Sequence, residues 1–141
     1  MVPAAILIKI YNMFTVAQLK AAHSKVRSGA DFPAYIREIG KLGVRWYDTF
    51  VIDGNSIYYG EGDHAVPTGA RYASISIADN CDAAQFRADL LAHQQGKTDF
   101  FTFCSDCARS GVDKWVICMD ALTCTYYDKA GNEVLVEMIP Q

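Results

Sequence analysis

Glu61, Asp63 and His64 stand beside Tyr59 in the stretch Gly60-Glu-Gly-Asp-His-Ala-Val-Pro-Thr-Gly69. Two carboxylates and an imidazole so close in sequence are the ingredients of acid-base chemistry. In that reading His64 is the general base, Asp63 or Glu61 orients it, and Tyr59 lies nearby. The same residues also make a weak oxygen-and-nitrogen metal site, or an ordinary solvated loop with incidental charges. A second pair of tyrosines, Tyr126-Tyr127, matches Tyr58-Tyr59. Adjacent strand residues point to opposite faces, so both members of a pair cannot enter one core. If Tyr58 and Tyr126 face inward with Cys124, then Tyr59 and Tyr127 lie on the other face, packed under a helix or lining a surface. The candidate ligand-binding set is therefore Tyr59, Glu61, Asp63, His64 and Tyr127, with no catalytic residue assigned.

Other reactive-looking residues have simpler explanations. Cys104-Ser-Asp-Cys107 has the spacing of a zinc or redox pair, but no second pair at ligand spacing completes a tetrahedral site. Its counterparts in the internal repeat described below are Ile36 and Ile39, so buried, reduced, metal-free thiols are expected. Cys81 matches Phe14 at a helix-staple position, and Cys118 matches Phe50. Asp31 and Asp99 read as helix N-caps. His23 lies on the apolar stripe of the first helix, and His93 closes the third helix at the surface. No metal and no cofactor is implied.

The elements that must position these groups come from a chain that repeats itself. An offset of 68 residues lays Asp31-Phe32 on Asp99-Phe100, Gly43-Val44 on Gly111-Val112 and Tyr58-Tyr59 on Tyr126-Tyr127 without a gap. An offset of 67 brings Gln18 onto Gln85 and Gly29 onto Gly96. Thr15-x-x-Gln18 is a capping-box pattern echoed by Asp82-x-x-Gln85. Gly29 and Gly96 read as the stops of the first helix of each unit, Gly43 and Gly111 as the stops of the second. Strands are expected over 45–52, 56–59 and 73–78 in the first copy, and over 114–119, 122–127 and 134–139 in the second. The predicted fold is a single α+β domain of two helix-helix-strand-strand-strand units, repeats 14–78 and 81–139, sharing an antiparallel sheet with pseudo-twofold symmetry. Residues 1–13 read as an N-terminal extension, a strand or an alternative start. In this reading the stretch from Gly60 to Gly69 is an insertion with no second-copy counterpart, mobile and the place where a ligand binds.

Composition bounds the function classes. The 51% apolar and 21% charged fractions are those of an ordinary globular domain. Net charge is −3 and the 13 Lys and Arg are scattered, so nucleic acid is not expected as a partner. No apolar run approaches a membrane span, and Lys9 interrupts the apolar start, so a membrane partner is not expected and the location expected is cytoplasmic. Five cysteines, an odd number, argue against a disulfide framework.

The chain resembles the YbcV-like family of bacterial and prophage proteins of unknown function, often labelled "phage envelope protein". The resemblance runs from about Phe14 to the C-terminus. It rests on Phe-Thr-Val-Ala-Gln-Leu at 14 to 19, Gly-Ala-Asp-Phe-Pro-Ala-Tyr at 29 to 35, Tyr-Tyr-Gly at 58 to 60, His-Gln-Gln-Gly-Lys-Thr-Asp-Phe at 93 to 100, and Thr-Cys-Thr-Tyr-Tyr-Asp at 123 to 128. It implies a prophage or bacterial setting and no particular activity. The leading reading is a non-catalytic binding or interaction module with an unknown protein or small-molecule partner and a possible homodimer. The alternative is a small-molecule enzyme built around His64.

Overall fold

The computed structural model describes residues 13–27 and 29–141. The expectation for residues 1–12 lies outside the described residues. The first unit comprises α1 (Val16–His23), a 3-10 turn (Gly29–Asp31), α2 (Phe32–Leu42), β1 (Trp46–Phe50), β2 (Ser56–Tyr59) and β3 (Ala65–Pro67). The second comprises α3 (Ala83–Gln94), α4 (Phe100–Arg109), β4 (Val112–Cys118), β5 (Thr123–Asp128) and β6 (Glu133–Met138). Element order is the same in both, and the molecule is of the α+β class.

Helix starts follow the cap chemistry at three of four places. The Thr15 hydroxyl accepts from the Gln18 amide while the Gln18 side chain accepts from the Thr15 amide, closing the capping box. Asp82 accepts from the Gln85 amide and Asp99 from the Thr102 amide, each satisfying one donor that a helix start leaves unpaired. Asp31 differs: its carboxylate accepts from the Arg27 amide at 3.0 Å and makes no cap bond to α2, because its own backbone is already helical in the 3-10 turn. Pro33 makes that start tolerable, since a first-turn residue needs no amide partner. At the far end Gly43 takes φ 108°, and the Val44 amide reaches back to the Ile39 carbonyl at 3.1 Å. α1 stops at His23 with Ser24 as its C-cap, short of the stop expected at Gly29.

The six strands form one antiparallel sheet in the order β3-β2-β1-β4-β5-β6. The order reads the same from either edge with the units exchanged. Register repeats too: adding 68 to both numbers of Trp46 opposite Tyr59 gives Lys114 opposite Tyr127, and both pairs are present. Where the units meet, Asp48 of β1 faces Val116 of β4, its own counterpart at the same offset.

Two strand expectations are corrected. Residues 73–78 are not a strand. They are the crossing between units, with the Ile75 amide on the Ile52 carbonyl and the Ala78 amide on the Ala108 carbonyl, and Ile75 and Ile77 packed against the core. Their alternation of apolar and small residues reflects a segment laid along the core, which has the same period as a strand. The third strand is β3, inside the supposed insertion. Residues 60–64 close a tight hairpin with the Gly60 amide on the His64 carbonyl at 2.9 Å, and the Asp128 amide meets the Asn132 carbonyl at 3.0 Å in the second unit. The loop therefore has a counterpart, and the offset of 68 runs through it.

All the buried strand side chains belong to one face. Tyr47, Tyr58, Ile117, Cys124 and Tyr126 join Leu19, Ile36, Ile39, Phe86, Leu90, Phe103 and Cys107 from the four helices in one core. Among the described residues the helices α1 to α4 therefore cover the same side of the sheet.

Candidate functional site

The strand residues that alternate with this core look the other way. β1 presents Trp46, Asp48 and Phe50, β2 presents Ile57 and Tyr59, and β4 presents Lys114, Val116 and Cys118. β5 and β6 add Thr123, Thr125, Tyr127, Val136 and Met138. None of these packs against the core, and each is half-buried or exposed. Trp46 is 40%, Val136 48% and Met138 70% exposed. Tyr59 stacks on Trp46 with ring centroids 4.7 Å apart and planes 13° apart. Tyr127 receives the Lys114 ammonium over its ring at 5.5 Å. Asp48, near the middle, has its carboxyl pKa raised by burial, with the Lys114 charge opposing the shift.

The face deepens at one corner into a groove of about 670 Å³ lined by Arg45, Trp46, Glu61, Val116, Cys118 and Asp120. The Arg45 guanidinium spans it, 3.8 Å from Glu61 and 3.3 Å from Asp120. Both ion pairs are exposed and hold the groove wall more than they stabilise the fold.

The residues singled out from sequence divide between three places. Tyr59 and Glu61 lie at this corner. Tyr127 shares the face, but β1 and β4 intervene and the β5 residue level with Tyr59 is Thr123, so Tyr127 stands roughly 20 Å away, three strand spacings of about 4.8 Å across and four residues of about 3.4 Å along. His64 turns away: its Nε2–H donates to the Phe14 carbonyl at 2.8 Å, and its ring meets the Phe14 ring edge-on at 4.4 Å. Gly60 lets the pieces close, because a Cβ there would meet the Phe14 ring. The imidazole thus ties the start of α1 to the β2–β3 turn. Asp63 is exposed on that turn, and among the described residues neither its carboxylate nor that of Glu61 is hydrogen-bonded to the His64 imidazole; Glu61 meets His64 only through the backbone, its carbonyl accepting from the His64 amide at 3.3 Å.

The remaining candidates resolve into packing. Cys104 and Cys107 are fully buried on α4, and burial pushes the Cys104 thiol up to about 11 and Cys107 higher still. All five cysteines are free. Cys81 is exposed, unlike buried Phe14, so the staple position expected for it is not filled in the second unit. His93 is stacked on Phe103 at 4.3 Å and bonded through Nδ1 to Thr98, a packed position more than a surface one. Among the described residues no group of three or more His, Cys, Asp or Glu is placed to hold a metal, and no helix is long and apolar enough to cross a membrane.

A family model described as "Protein of unknown function (DUF1398)" matches residues 20–138. The chain belongs to the DUF1398 family. No curated protein matches it. The DUF1398 match takes in all of α2 to β6, and so the whole helix-free face, but stops short of Phe14. In this DUF1398 chain Trp46, Asp48, Phe50, Lys114 and Val116 were not among the residues that sequence reasoning singled out. The available signal was the alternation of β1 starting from Trp46: once Tyr47 is placed inward, Trp46, Asp48 and Phe50 must face out.

Proposed function

We propose that this DUF1398 domain is an interaction module whose working surface is the helix-free face, and that it pairs there with a second copy of itself. The observation that carries the reading is the division of the sheet. Among the described residues, one side enters the core with α1 to α4, and no helix covers the other, which presents Trp46, Phe50, Tyr59, Val116, Tyr127 and Met138. Aromatic and apolar side chains gathered on one exposed face, here interleaved with Asp48, Lys114, Thr123 and Thr125, are what an interaction site presents. Six strands about 4.8 Å apart, each offering about five residues of 3.4 Å, project roughly 500 Å². Two copies face to face would bury at least about 1,000 Å², the lower bound for a specific interface.

Charge favours a like partner. Asp48 and Lys114 sit on adjacent central strands, and a twofold axis in the plane of contact sets the carboxylate of one copy toward the ammonium of the other. That pairing would offset the burial that already raises the Asp48 pKa. The resemblance to YbcV-like proteins supports a bacterial or prophage setting. The acid-base alternative around His64 gains no support from the geometry, since the imidazole is committed to Phe14.

Sedimentation equilibrium tests the pairing. Wild-type protein should move from the 15.6 kDa chain mass toward twice that value as concentration rises through the micromolar range. Val116→Glu, which adds a second carboxylate opposite Asp48, should stay at the chain mass with an unchanged circular dichroism spectrum. A wild type that stays monomeric throughout, or a Val116→Glu variant that still pairs, would refute it.

A further inference from the structure

On the opposite side of the molecule, between α1, the end of β2 and the chain leaving β3, lies a second cavity of about 340 Å³. Its polar lining comes from Lys20, His23, Ser24, Tyr58, Thr68 and Arg71, with no carboxylate among the lining residues. Lys20 and Arg71 form no ion pair with a carboxylate among the described residues. Arg71 is nevertheless held in place. Its guanidinium lies 4.7 Å over the Phe100 ring and 3.5 Å from the Ser56 hydroxyl, while its amide donates to the Asp53 carbonyl at 2.7 Å. At the base of the cavity the Tyr35 and Tyr58 hydroxyls meet at 2.6 Å, one donating to the other, and burial keeps both phenols protonated, so the pair leaves one O–H to donate and carries no negative charge.

The second unit shows what this region looks like without such polarity. Leu90 stands where His23 stands at the 67-residue offset, and Phe103 where Tyr35 stands at 68, and both are in the core. There Gln94 of α3 bonds to Glu137 of β6 at 3.1 Å, joining the first helix of the unit to its edge strand. An apolar filling is therefore compatible with the architecture. Hydroxyls and a cation facing a partly enclosed space without anionic partners do not stabilise the fold.

We infer that this cavity is a binding site for a small organic anion carrying a phosphate or carboxylate group, gripped by Arg71 and Lys20 and hydrogen-bonded by Tyr58, Ser24 and Thr68. The planar guanidinium matches two oxygens of either group, and the cavity has the size of a metabolite site. The His23 ring, edge-on to Tyr35 at 5.5 Å, stands beside the anion and gains a proton when one binds. The charged and titratable groups facing His23 are Lys20, Arg71, Tyr35 and Tyr58, of which the first two are cations and the phenols stay neutral.

The test is a two-dimensional amide NMR titration with inorganic phosphate and, separately, succinate, at ionic strength held constant with chloride. One or both should give saturable shifts at the amides of Ser24, Gly69 and Arg71, and the stronger arm distinguishes phosphate from carboxylate. Affinity should fall at least tenfold in Arg71→Gln and in Lys20→Gln, and rise as the pH is lowered from 8 to 6. Lys20 is exposed, so its variant reports on binding even if the Arg71 variant loses stability. Shifts that fail to saturate with either probe, or saturable shifts unchanged in both variants, would overturn the inference. The outcome is independent of pairing through the helix-free face.

Discussion

His23 shows how a residue's chemistry is set by its neighbours. Partial burial and, second, the Arg71 guanidinium hold its pKa below the usual histidine value. On acidification the unfolded chain therefore takes up this proton before the folded one does. The stability associated with neutral His23 is fully present above about pH 6.5 and is lost as pH falls from there toward the folded pKa. Urea unfolding at a series of pH values should show the free energy of wild type declining between pH 7 and 5, and a His23→Gln variant should decline less over the same interval. Equal declines would show that the proton is not excluded by the fold. The sequence placed His23 on the apolar stripe of the first helix, whereas the buried residues of α1 are Leu19 and Ala22 and much of His23 stays exposed beside them; nothing near it in sequence announced Arg71, which arrives after β3 and two turns. The tyrosine pairs were more legible. Strand alternation alone required Tyr58 and Tyr59 to part company, and Tyr58 is buried at 2% while Tyr59 lies on the other face.

At the scale of elements, the glycines separate what is fixed by space from what is fixed by backbone alone. Gly111 joins α4 to β4 at φ 80°, and a Cβ there would run into the backbone of Asn80 and Cys81 in the crossing segment. Gly62, in the β2–β3 turn at φ 63°, has open space around it. Gly111→Ala should therefore cost about 2–4 kcal/mol, and Gly62→Ala about 1 kcal/mol from the left-handed backbone alone. Denaturant midpoints check this, and equal losses at the two sites would mean the crossing segment yields freely. Helix starts were largely readable because cap chemistry is local, as at Thr15, Asp82 and Asp99. β3 was not, because a three-residue edge strand ending in Pro67 carries too short an alternation to stand out, and its pairing with β2 depends on a turn whose geometry sequence does not spell out.

For the whole molecule, the α+β class with a single antiparallel sheet was legible from the helix stops and the alternating runs, whereas the strand order β3-β2-β1-β4-β5-β6 was not. What the offset could not convey is that both helix pairs fall on the same side of the sheet. Each helix has one apolar stripe and each strand two faces, and either face satisfies the pattern until the units are joined. That choice creates the helix-free face and with it the central claim of self-pairing. Isotope-filtered NOE spectroscopy on an equimolar mixture of labelled and unlabelled protein tests the claim most directly. Intermolecular contacts should appear at the Val116, Val136 and Met138 methyl groups and be absent from the buried methyls of Leu19 and Leu90. Contacts confined to the helix side, at Leu91 or beside Phe101, or no intermolecular contacts at millimolar concentration, would contradict it.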